Sequence, residues 1–233
     1  MDPWRKTLAW KWRRLRRLCL HLCLEVPLPS CNLTGFFSGI TKSSPGDNAT
    51  GGVTLYINKS VLFSEIKLDT DLQAVAVRVS AKKTLTVCNI CLPPSLEVNF
   101  SDLDHLIEQL PAPFVLVGDF NAHSPLWGDV RQDSRGQMVE KLLNDYNLCL
   151  LNTGEPTYRH HGHHSFSVPD VSICYPSLAL EFDWLTHNDL CGSNCFPVII
   201  KTSHRDDEPI AEHWKFDRAD WMSFRSLCFF AVV

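Results

Sequence analysis

The sequence Phe114-Val-Leu-Val-Gly-Asp-Phe-Asn-Ala-His-Ser124 lies near the middle of the chain, and the other predicted elements are arranged around it. Four apolar residues run into Gly-Asp, a pattern that predicts a buried strand ending abruptly at Asp119. Polar side chains then follow at alternate positions, Asn121 and His123. An Asp/Asn turn would have the same composition, because both residues hydrogen-bond to their own backbone. Since α/β proteins keep their chemistry at strand ends, the stretch is also a candidate site.

Strand and helix patterns surround this stretch on both sides. Apolar runs, several of them alternating, predict strands at 53–57, 72–79, 84–92, 148–151, 170–174, 182–185 and 197–201. Apolar faces at helical spacing predict one helix over 102–110, capped by Ser101, and a second around 138–143. Residues 27–52 are rich in Pro, Ser, Gly and Asn, which indicates a loop. Together these elements predict a mixed α/β sandwich rather than a purely parallel sheet.

The charge of the chain is unevenly distributed. The 233 residues are 45% hydrophobic and 21% charged, which is typical of a globular protein. The net charge of -4 combines a net +6 in residues 1–22 with -10 in the remainder. An acidic body does not attract nucleic acid by its overall field, so DNA binding would need a local basic surface. The basic segment indicates an amphipathic helix or an extension, with an arm for nucleic acid or a membrane surface as the alternative.

Ten cysteines could indicate a secreted disulfide protein. Several of them, including Cys88, Cys149 and Cys174, lie within apolar strand-like runs, where a free thiol behaves as a small hydrophobe. No convincing signal peptide precedes them, and no apolar run approaches the length of a membrane span. We therefore predict an intracellular protein, nuclear or cytoplasmic and not secreted, with no membrane partner. Nothing in the sequence indicates an oligomer.

Nine short blocks, taken together, carry a resemblance to one family. The blocks are Gly51-Gly-Val53, Leu92-Pro-Pro94, Gly118-Asp-Phe-Asn-Ala-His123, Trp127-Gly128, Asp133-Ser-Arg-Gly136, Leu151-Asn152, Pro156-Thr-Tyr158, Pro169-Asp-Val-Ser172 and Gly192-Ser-Asn-Cys-Phe-Pro197. In order and spacing they resemble the apurinic-type endonuclease domain of non-LTR retrotransposons, within the endonuclease/exonuclease/phosphatase superfamily. The resemblance divides the chain into a divergent basic segment and loop (1–50), the endonuclease-like domain (51–203) and a tail similar to the linker toward a reverse transcriptase (204–233).

The resemblance implies a fold and a reaction. The fold is DNase I-like: two packed mixed β-sheets flanked by helices, a four-layer α/β/β/α sandwich. The reaction is the hydrolysis of DNA phosphodiesters with Mg²⁺ as cofactor and DNA as partner. Because a phosphodiester is anionic and repels hydroxide, such a site needs a cation on the phosphate, a group that activates water, and donors for the developing charge.

By this resemblance three catalytic positions are intact. Asp119 would orient and deprotonate the attacking water and contribute to the metal site. Asn121 would hold the phosphate or the metal-bound solvent, and Asp170 would match the carboxylate that supports the catalytic histidine. His123 and Arg135, in the same blocks, are candidates for contact with nucleic acid.

Other positions depart from the family. Its Ser-Asp-His-Phe-Pro motif reads Ser193-Asn194-Cys195-Phe196-Pro197 here. Asn194 lacks the carboxylate that would bind metal. Cys195 puts a thiol, with an ordinary pKa of about 8.5 and weak donor ability, where an imidazole would donate to the phosphate. Cys91 stands where the family usually has Tyr, before Leu-Pro-Pro.

The N-terminal matches depart as well. Lys11 stands in place of the catalytic Asn of the first strand. Glu25 is the candidate for the metal-binding Glu, but its register is off by about one residue, and such a slip turns a strand side chain to the other face. The sequence therefore predicts an impaired magnesium-dependent endonuclease for retrotransposon target nicking, with a non-catalytic remnant that at most binds nucleic acid as the alternative.

A run of histidines lies before Asp170. It comprises His160, His161, His163 and His164, and Cys191 and Cys195 follow further along the chain. A surface loop explains the histidines, although one of them could replace the lost imidazole. Zinc bound by this cluster and the two cysteines is a further alternative, since these residue types ligate zinc.

Overall fold

The strand predicted at 114–119 is the middle of a sheet in the computed structural model, which describes residues 37–43, 52–59, 61–80, 83–160, 165–190 and 193–202. The strands are β1 (Phe37–Ser43), β2 (Gly52–Asn58), β3 (Leu62–Ile66), β4 (Gln73–Ser80), β5 (Thr84–Cys91), β6 (Phe114–Asp119), β7 (Cys149–Leu150), β8 (Tyr158–Arg159), β9 (Phe166–Ser167), β10 (Asp170–Cys174), β11 (Phe182–Thr186) and β12 (Val198–Thr202). The helices are α1 (Phe100–Glu108) and α2 (Ser134–Asp145). The predictions for the basic segment 4–24 and the tail 204–233 lie outside the described residues.

The main sheet has six strands in the order β3-β4-β5-β6-β10-β7. β5 and β6 run parallel at its centre, and the other neighbouring pairs are antiparallel. α1 connects the two parallel strands, as a crossover between parallel neighbours requires. The sheet is therefore mixed, and its central strands are the ones that carry Cys91 and Asp119 at their ends.

The two helices cover one face of this sheet. Leu103, Leu106 and Ile107 of α1 are buried in one cluster with Leu142 and Leu143 of α2. The cluster also contains inward residues of the sheet, namely Ala74, Ala76, Cys88, Ile90, Leu116, Val171 and Ile173. Burial of apolar side chains at about 25 cal/mol per Å² makes this the main contribution to helix docking.

The predicted cap of the first helix is wrong. α1 begins at Phe100, and Asn99 is its N-cap in an extended conformation. The Asp102 carboxylate accepts a hydrogen bond of 2.8 Å from the backbone N–H of Asn99. Ser101 lies inside the first turn, because an Asn followed three residues later by an acidic side chain makes the better cap.

The opposite face is covered by two small ladders. β1 pairs with β2, and β11 pairs with β12, all antiparallel. Val53, Leu55, Trp184, Val198 and Ile200 from these ladders pack on the other side of the main sheet. The predicted α/β sandwich is thus confirmed, and the described residues form three of its layers. Among them, neither helix is long and apolar enough to cross a membrane.

Strand β1 overturns part of a sequence prediction. It lies within the segment 27–52, which was interpreted as loop. Its seven residues hold their extended form by pairing with β2 along their whole length, from Phe37 opposite Asn58 to Ser43 opposite Gly52. Gly39 and the serines of β1 give little local preference for a strand, so pairing with β2 adds to the preference of Ile40 and Thr41 and decides the conformation. The boundary between residues 50 and 51 stays a prediction.

The described cysteines are free thiols in or beside the core. Burial raises the pKa of the Cys88 thiol well above its ordinary value. Burial, and secondarily the neighbouring Cys149, raises the pKa of Cys174 to about 12. Both groups therefore stay protonated at neutral pH and pack as small hydrophobes, as their apolar sequence context indicated.

Candidate active site

Four polar positions form a row at the end of the main sheet. Asp119 lies beside Cys91 on its parallel side and directly opposite Asp170 on its antiparallel side. Gln73 lies opposite Cys91 on the next strand. Residues paired across neighbouring strands share a face. Gln73, Cys91, Asp119 and Asp170, here called the polar row, therefore share the face of the sheet that carries the small ladders.

Below the polar row, the next two rows of residues on the same face of the sheet are mostly apolar. The next row on the same face contains Val75, Asn89, Val117 and Ser172, and the one after it Val77, Val87, Val115 and Cys174. The Asn89 amide donates to the carbonyl of Thr54 at 3.2 Å, and the Ser172 hydroxyl accepts from the Trp184 indole at 3.0 Å. These two polar groups thus join the main sheet to the second layer.

The turn after β6 fixes the orientation of Asp119. One oxygen of its carboxylate accepts the backbone N–H of Asn121 at 2.8 Å. Asn121 has a left-handed backbone, with φ of 45°, and its amide nitrogen donates to the carbonyl of Leu92 at 3.1 Å. The Asp/Asn turn and the strand-end carboxylate are therefore the same feature. One of the two N–H groups of the Asn121 amide is thus used within the fold, and this bond fixes the orientation of the side chain.

Asp170 is buried at the start of β10, with 2% of its surface exposed. Its backbone N–H donates to the Thr157 hydroxyl at 3.4 Å, and its carbonyl accepts the Asn152 amide at 2.9 Å. The carbonyl oxygen of the same Asn152 side chain accepts the N–H of Ser172 at 2.8 Å. Asn152 thus supplies ladder hydrogen bonds where the short β7 has ended.

The segment with the changed motif lies next to Thr157. The N–H of Phe196 donates to the Thr157 carbonyl, and the N–H of Arg159 donates to the Asn194 carbonyl, both at 2.8 Å. Cys195 forms an isolated bridge with Tyr158. Since the Thr157 hydroxyl also bonds Asp170, this one residue connects the changed motif to the end of β10.

His123 and Arg135 have partners inside the fold. The His123 ring is 2.8 Å from Asp129 through Nδ1 and 2.8 Å from Arg131 through Nε2. The Arg135 guanidinium donates to backbone carbonyls of Leu92, Phe120, Pro93 and Leu96. It ties the Leu-Pro-Pro loop to the turn after β6. Contact of either side chain with nucleic acid stays a prediction.

Arg135→Ala is expected to lower the free energy of unfolding by about 2–4 kcal/mol, because several backbone carbonyls lose their donor. Arg135→Lys should recover less than half of this loss, since an ammonium lacks the planar fork of a guanidinium. Urea unfolding and DNA affinity would be measured together, with the exposed Arg159→Ala as control. Unchanged stability with weakened DNA binding would instead support the nucleic-acid role.

Several predicted site residues fall outside the description of the structure. Lys11, Glu25, Cys191 and three of the clustered histidines, His161, His163 and His164, lie outside the described residues. His160 is described, and its Nε2 is 3.1 Å from the Ser167 hydroxyl. Within the described part of the chain, no group of three or more His, Cys, Asp or Glu side chains could hold a metal ion. The zinc alternative and the replacement histidine stay predictions.

Sequence reasoning did not single out Thr157, Asn152 or Gln73. Thr157 and Asn152 belong to two of the family blocks, Pro156-Thr-Tyr158 and Leu151-Asn152. A single polar residue after an apolar one does not indicate which residue it will hydrogen-bond. Gln73 opens a strand and is 8% exposed, which its neighbours in sequence do not indicate. Their positions depend on strand register, which is set by pairing at a distance.

Comparison with known proteins agrees with this architecture. Residues 85–199 match the model of a family described as endonuclease-reverse transcriptase. The RNA-directed DNA polymerase from the mobile element jockey of Drosophila melanogaster is 29% identical over 117 residues, which is 49% of this chain and 13% of that protein. The probable RNA-directed DNA polymerase from transposon X-element of the same species is 27% identical over 128 residues, or 54% of this chain and 14% of that protein.

A solved structure shares the fold. The endonuclease domain of TRAS1, a telomere-specific non-LTR retrotransposon, superposes with a TM-score of 0.60 at 18% identity, covering 72% of this chain and 81% of that one. The family model, the mobile-element polymerases and this shared fold together support an endonuclease domain of the endonuclease/exonuclease/phosphatase superfamily, of the kind found in non-LTR retrotransposons. The resemblance carried by the sequence blocks is thereby confirmed.

Proposed function

We propose that this chain is a magnesium-dependent DNA endonuclease domain whose cleavage activity is impaired. The observation that carries the proposal is the contrast between two sides of the site. Asp119 and Asp170 lie directly opposite each other at the end of the main sheet, with Asn121 in the adjoining turn. The segment next to Asp170 reads Asn194-Cys195 where the family has an acid and an imidazole.

The intact side supports activation of water. The Asn121 N–H holds the Asp119 carboxylate in a fixed orientation, and a carboxylate held in this way is suited to orient a water molecule and take its proton. The Asn121 amide oxygen lies in the same turn and suits a role toward metal-bound solvent. Asp170 is proposed to orient a donor carried by the segment that contains Cys195, because Thr157 joins the backbone of Asp170 to that segment.

The changed side explains the proposed impairment. A thiol is a weak hydrogen-bond donor, so Cys195 would give little stabilisation to the charge that develops on the phosphate. Asn194 offers an amide in place of a carboxylate, which weakens attraction for a divalent cation. Cys91 places a further thiol beside Asp119 where the family usually has a phenol.

The donor set fits a magnesium site only in part. Mg²⁺ in such enzymes uses one or two carboxylates together with substrate phosphate and water, and Asp119 is the described carboxylate that we propose as a ligand. The other proposed ligand positions are Glu25, outside the described residues, and Asn194, which has lost its charge. The described residues therefore supply only part of the ligand set that a magnesium ion would need.

A non-catalytic remnant is the second candidate. The observation that favours it is that Cys91, Asn194 and Cys195 are all changed, while the apolar clusters on both faces of the main sheet are buried. Such a domain would at most bind nucleic acid. In either case the proposed partner is DNA, and the proposed location is intracellular, in the nucleus or the cytoplasm.

Nicking of supercoiled plasmid in the presence of Mg²⁺ separates the two candidates. The native chain is expected to nick slowly, and Asp119→Asn should lower the rate by a further factor of at least about 10², the scale of a lost general base. EDTA should abolish the activity. Asp145→Asn, an exposed change on α2, is the matched control and should behave as the native chain.

The other outcomes are equally informative. Native nicking that Asp119→Asn leaves unchanged would come from a contaminant and would favour the remnant. Rapid native nicking that depends on both Asp119 and Mg²⁺ would contradict the proposed impairment.

A further inference from the structure

The backbone of Val168, two residues before Asp170, is held from both sides by the turn that follows Asp119. Its N–H donates to the Asp129 carboxylate at 2.9 Å, and its carbonyl accepts the Trp127 indole N–H at 3.1 Å. The next carbonyl, that of Pro169, accepts the N–H of Phe120 at 3.2 Å. Three hydrogen bonds therefore join the segment before Asp170 to the segment after Asp119.

This connection comes where the β6–β10 ladder ends. Asp119 and Asp170 are its last pair, and Pro169 has no N–H with which to continue it. The ends of antiparallel ladders open more readily than their middles. The next available donor of the chain is the Val168 N–H, and Asp129 accepts it. The side chains of Trp127 and Asp129 thus bond to the backbone of Val168 in place of a further pair of residues in the β6–β10 ladder.

Trp127 and Asp129 are themselves rigidly placed. Trp127 is 1% exposed and ends a short 3-10 helix, Pro125–Trp127, whose N-cap is Ser124. Gly128 follows with φ of 96°, and a Cβ there would lie 2.5 Å from the Cα of Gly154. Only glycine allows this close approach of two loops. The turn is therefore fixed both by its own N-cap and by its contact with the loop that contains Gly154.

The Asp129 carboxylate is 8% exposed and has several donors. Besides the Val168 N–H, it accepts Nδ1–H of His123 at 2.8 Å and the N–H of Arg131 at 3.3 Å. Burial alone would raise the pKa of Asp129, but these hydrogen bonds outweigh it and lower the pKa. Because a guanidinium only donates, Arg131 fixes Nε2 of His123 as acceptor and Nδ1 as donor.

We propose that Asp129 and Trp127 are positioning residues that hold Asp170 in register opposite Asp119 through the backbone of Val168. His123 and Arg131 orient the Asp129 carboxylate, and these four side chains together are called the clamp. Neither Asp129 nor Trp127 is assigned a contact with the phosphate. The consequence for DNA cleavage rests on the proposed function, whereas the effect on the strand end does not.

The test uses the full chain carrying Asn194→Asp/Cys195→His, so that cleavage is measurable. Asp129→Ala is expected to lower the single-turnover nicking rate by about 10- to 100-fold, the scale of a small misplacement of reacting groups, with the DNA Kd changed less than about threefold. Asp129→Asn keeps an oxygen acceptor for His123 and Val168 and should recover most of the rate. Trp127→Phe, which removes the indole N–H together with the five-membered ring and keeps an aromatic six-membered ring, should lower the rate by about 3- to 10-fold.

Hydrogen exchange at the Phe120 amide is measured on the same proteins. Its bond to Pro169 is touched by neither substitution, and its exchange should accelerate at least about tenfold in Asp129→Ala if the strand end opens. Asp102→Ala is the matched control: it removes a carboxylate and a helix cap in α1, far along the chain, and should change neither the nicking rate nor this exchange.

Each outcome decides the proposal. If Asp129→Ala and Trp127→Phe leave both the nicking rate and the Phe120 exchange unchanged, the two residues do not position Asp170. If the reverted parent itself does not nick, the defect lies in the proposed function or at the Lys11 and Glu25 positions, and the exchange measurement alone then upholds or overturns the proposed positioning role. A rate loss equal in Asp129→Asn and Asp129→Ala, with unchanged exchange, would also overturn it, because it would assign Asp129 a direct charge role.

Discussion

The Asn194→Asp/Cys195→His double variant is expected to nick supercoiled DNA about 10²- to 10⁴-fold faster than the native chain in Mg²⁺, the range that one acid–base group commonly contributes. The imidazole supplies a strong donor to the phosphate where the thiol is weak. The carboxylate restores charge for the cation. Thr157 joins this segment to the backbone of Asp170, and the expected gain assumes the proposed role of Asp170 in orienting the new imidazole.

Single variants show how the two groups cooperate. Groups that act as a unit give strongly non-additive effects. We therefore expect Cys195→His alone to gain less than about tenfold, and Asn194→Asp alone less still. Asp119→Asn in the double variant should return the rate to background. A double variant that folds like the native chain by circular dichroism yet gains nothing would put the decisive defect at the Lys11 or Glu25 positions.

Gly118→Ala is expected to destabilise the protein by about 3–5 kcal/mol, combining backbone strain with overpacking of a close contact. Gly118 has φ of 153°, and a Cβ there would lie 1.8 Å from the carbonyl oxygen of Ile90. That oxygen belongs to the neighbouring central strand, so it cannot move away as a flexible side chain would. Asp119 is the next residue, and the strain would reach the site directly.

A second glycine, Gly154, allows the cost of backbone strain to be measured without the cost of a steric clash. Gly154 also has a left-handed backbone, with φ of 90°, but the nearest atom to a Cβ there is 4.0 Å away. Gly154→Ala should therefore cost only about 1–2 kcal/mol, the strain contribution alone. Urea unfolding of both variants measures the difference. Equal losses would mean that contact with Ile90 adds nothing.

The strands that carry the site could be predicted because their own residues decide them. The run before Asp119 is apolar on both faces of a central strand, and the structure ends it at the predicted residue. β10 and β5 likewise differ from their predictions by at most one residue at an end. Continuous apolar runs bounded by Pro or polar residues leave few alternatives for a buried strand.

Other features depend on partners far along the chain. β1 and β3 lie at the margins of the fold and contain Gly, Ser and charged residues, so pairing decides their conformation more than composition. The sequence blocks named Asp119 and Asp170 as site residues, but the local pattern did not show that they are direct neighbours. The roles of Thr157 and Asp129 arise only from register and loop contact.

The burial of the changed positions has a consequence for how such a domain evolves. Cys91 is 1% exposed and belongs to the apolar cluster between the main sheet and the small ladders, whereas Asn194 and Cys195 are only partly buried and lie outside that cluster. Mutations at Asn194 or Cys195 are therefore expected to lower the amount of folded protein less than mutations in the core do. Selection for stability alone would oppose them only weakly. In copies of a mobile element, catalytic residues can therefore be lost by mutation while the fold remains stable.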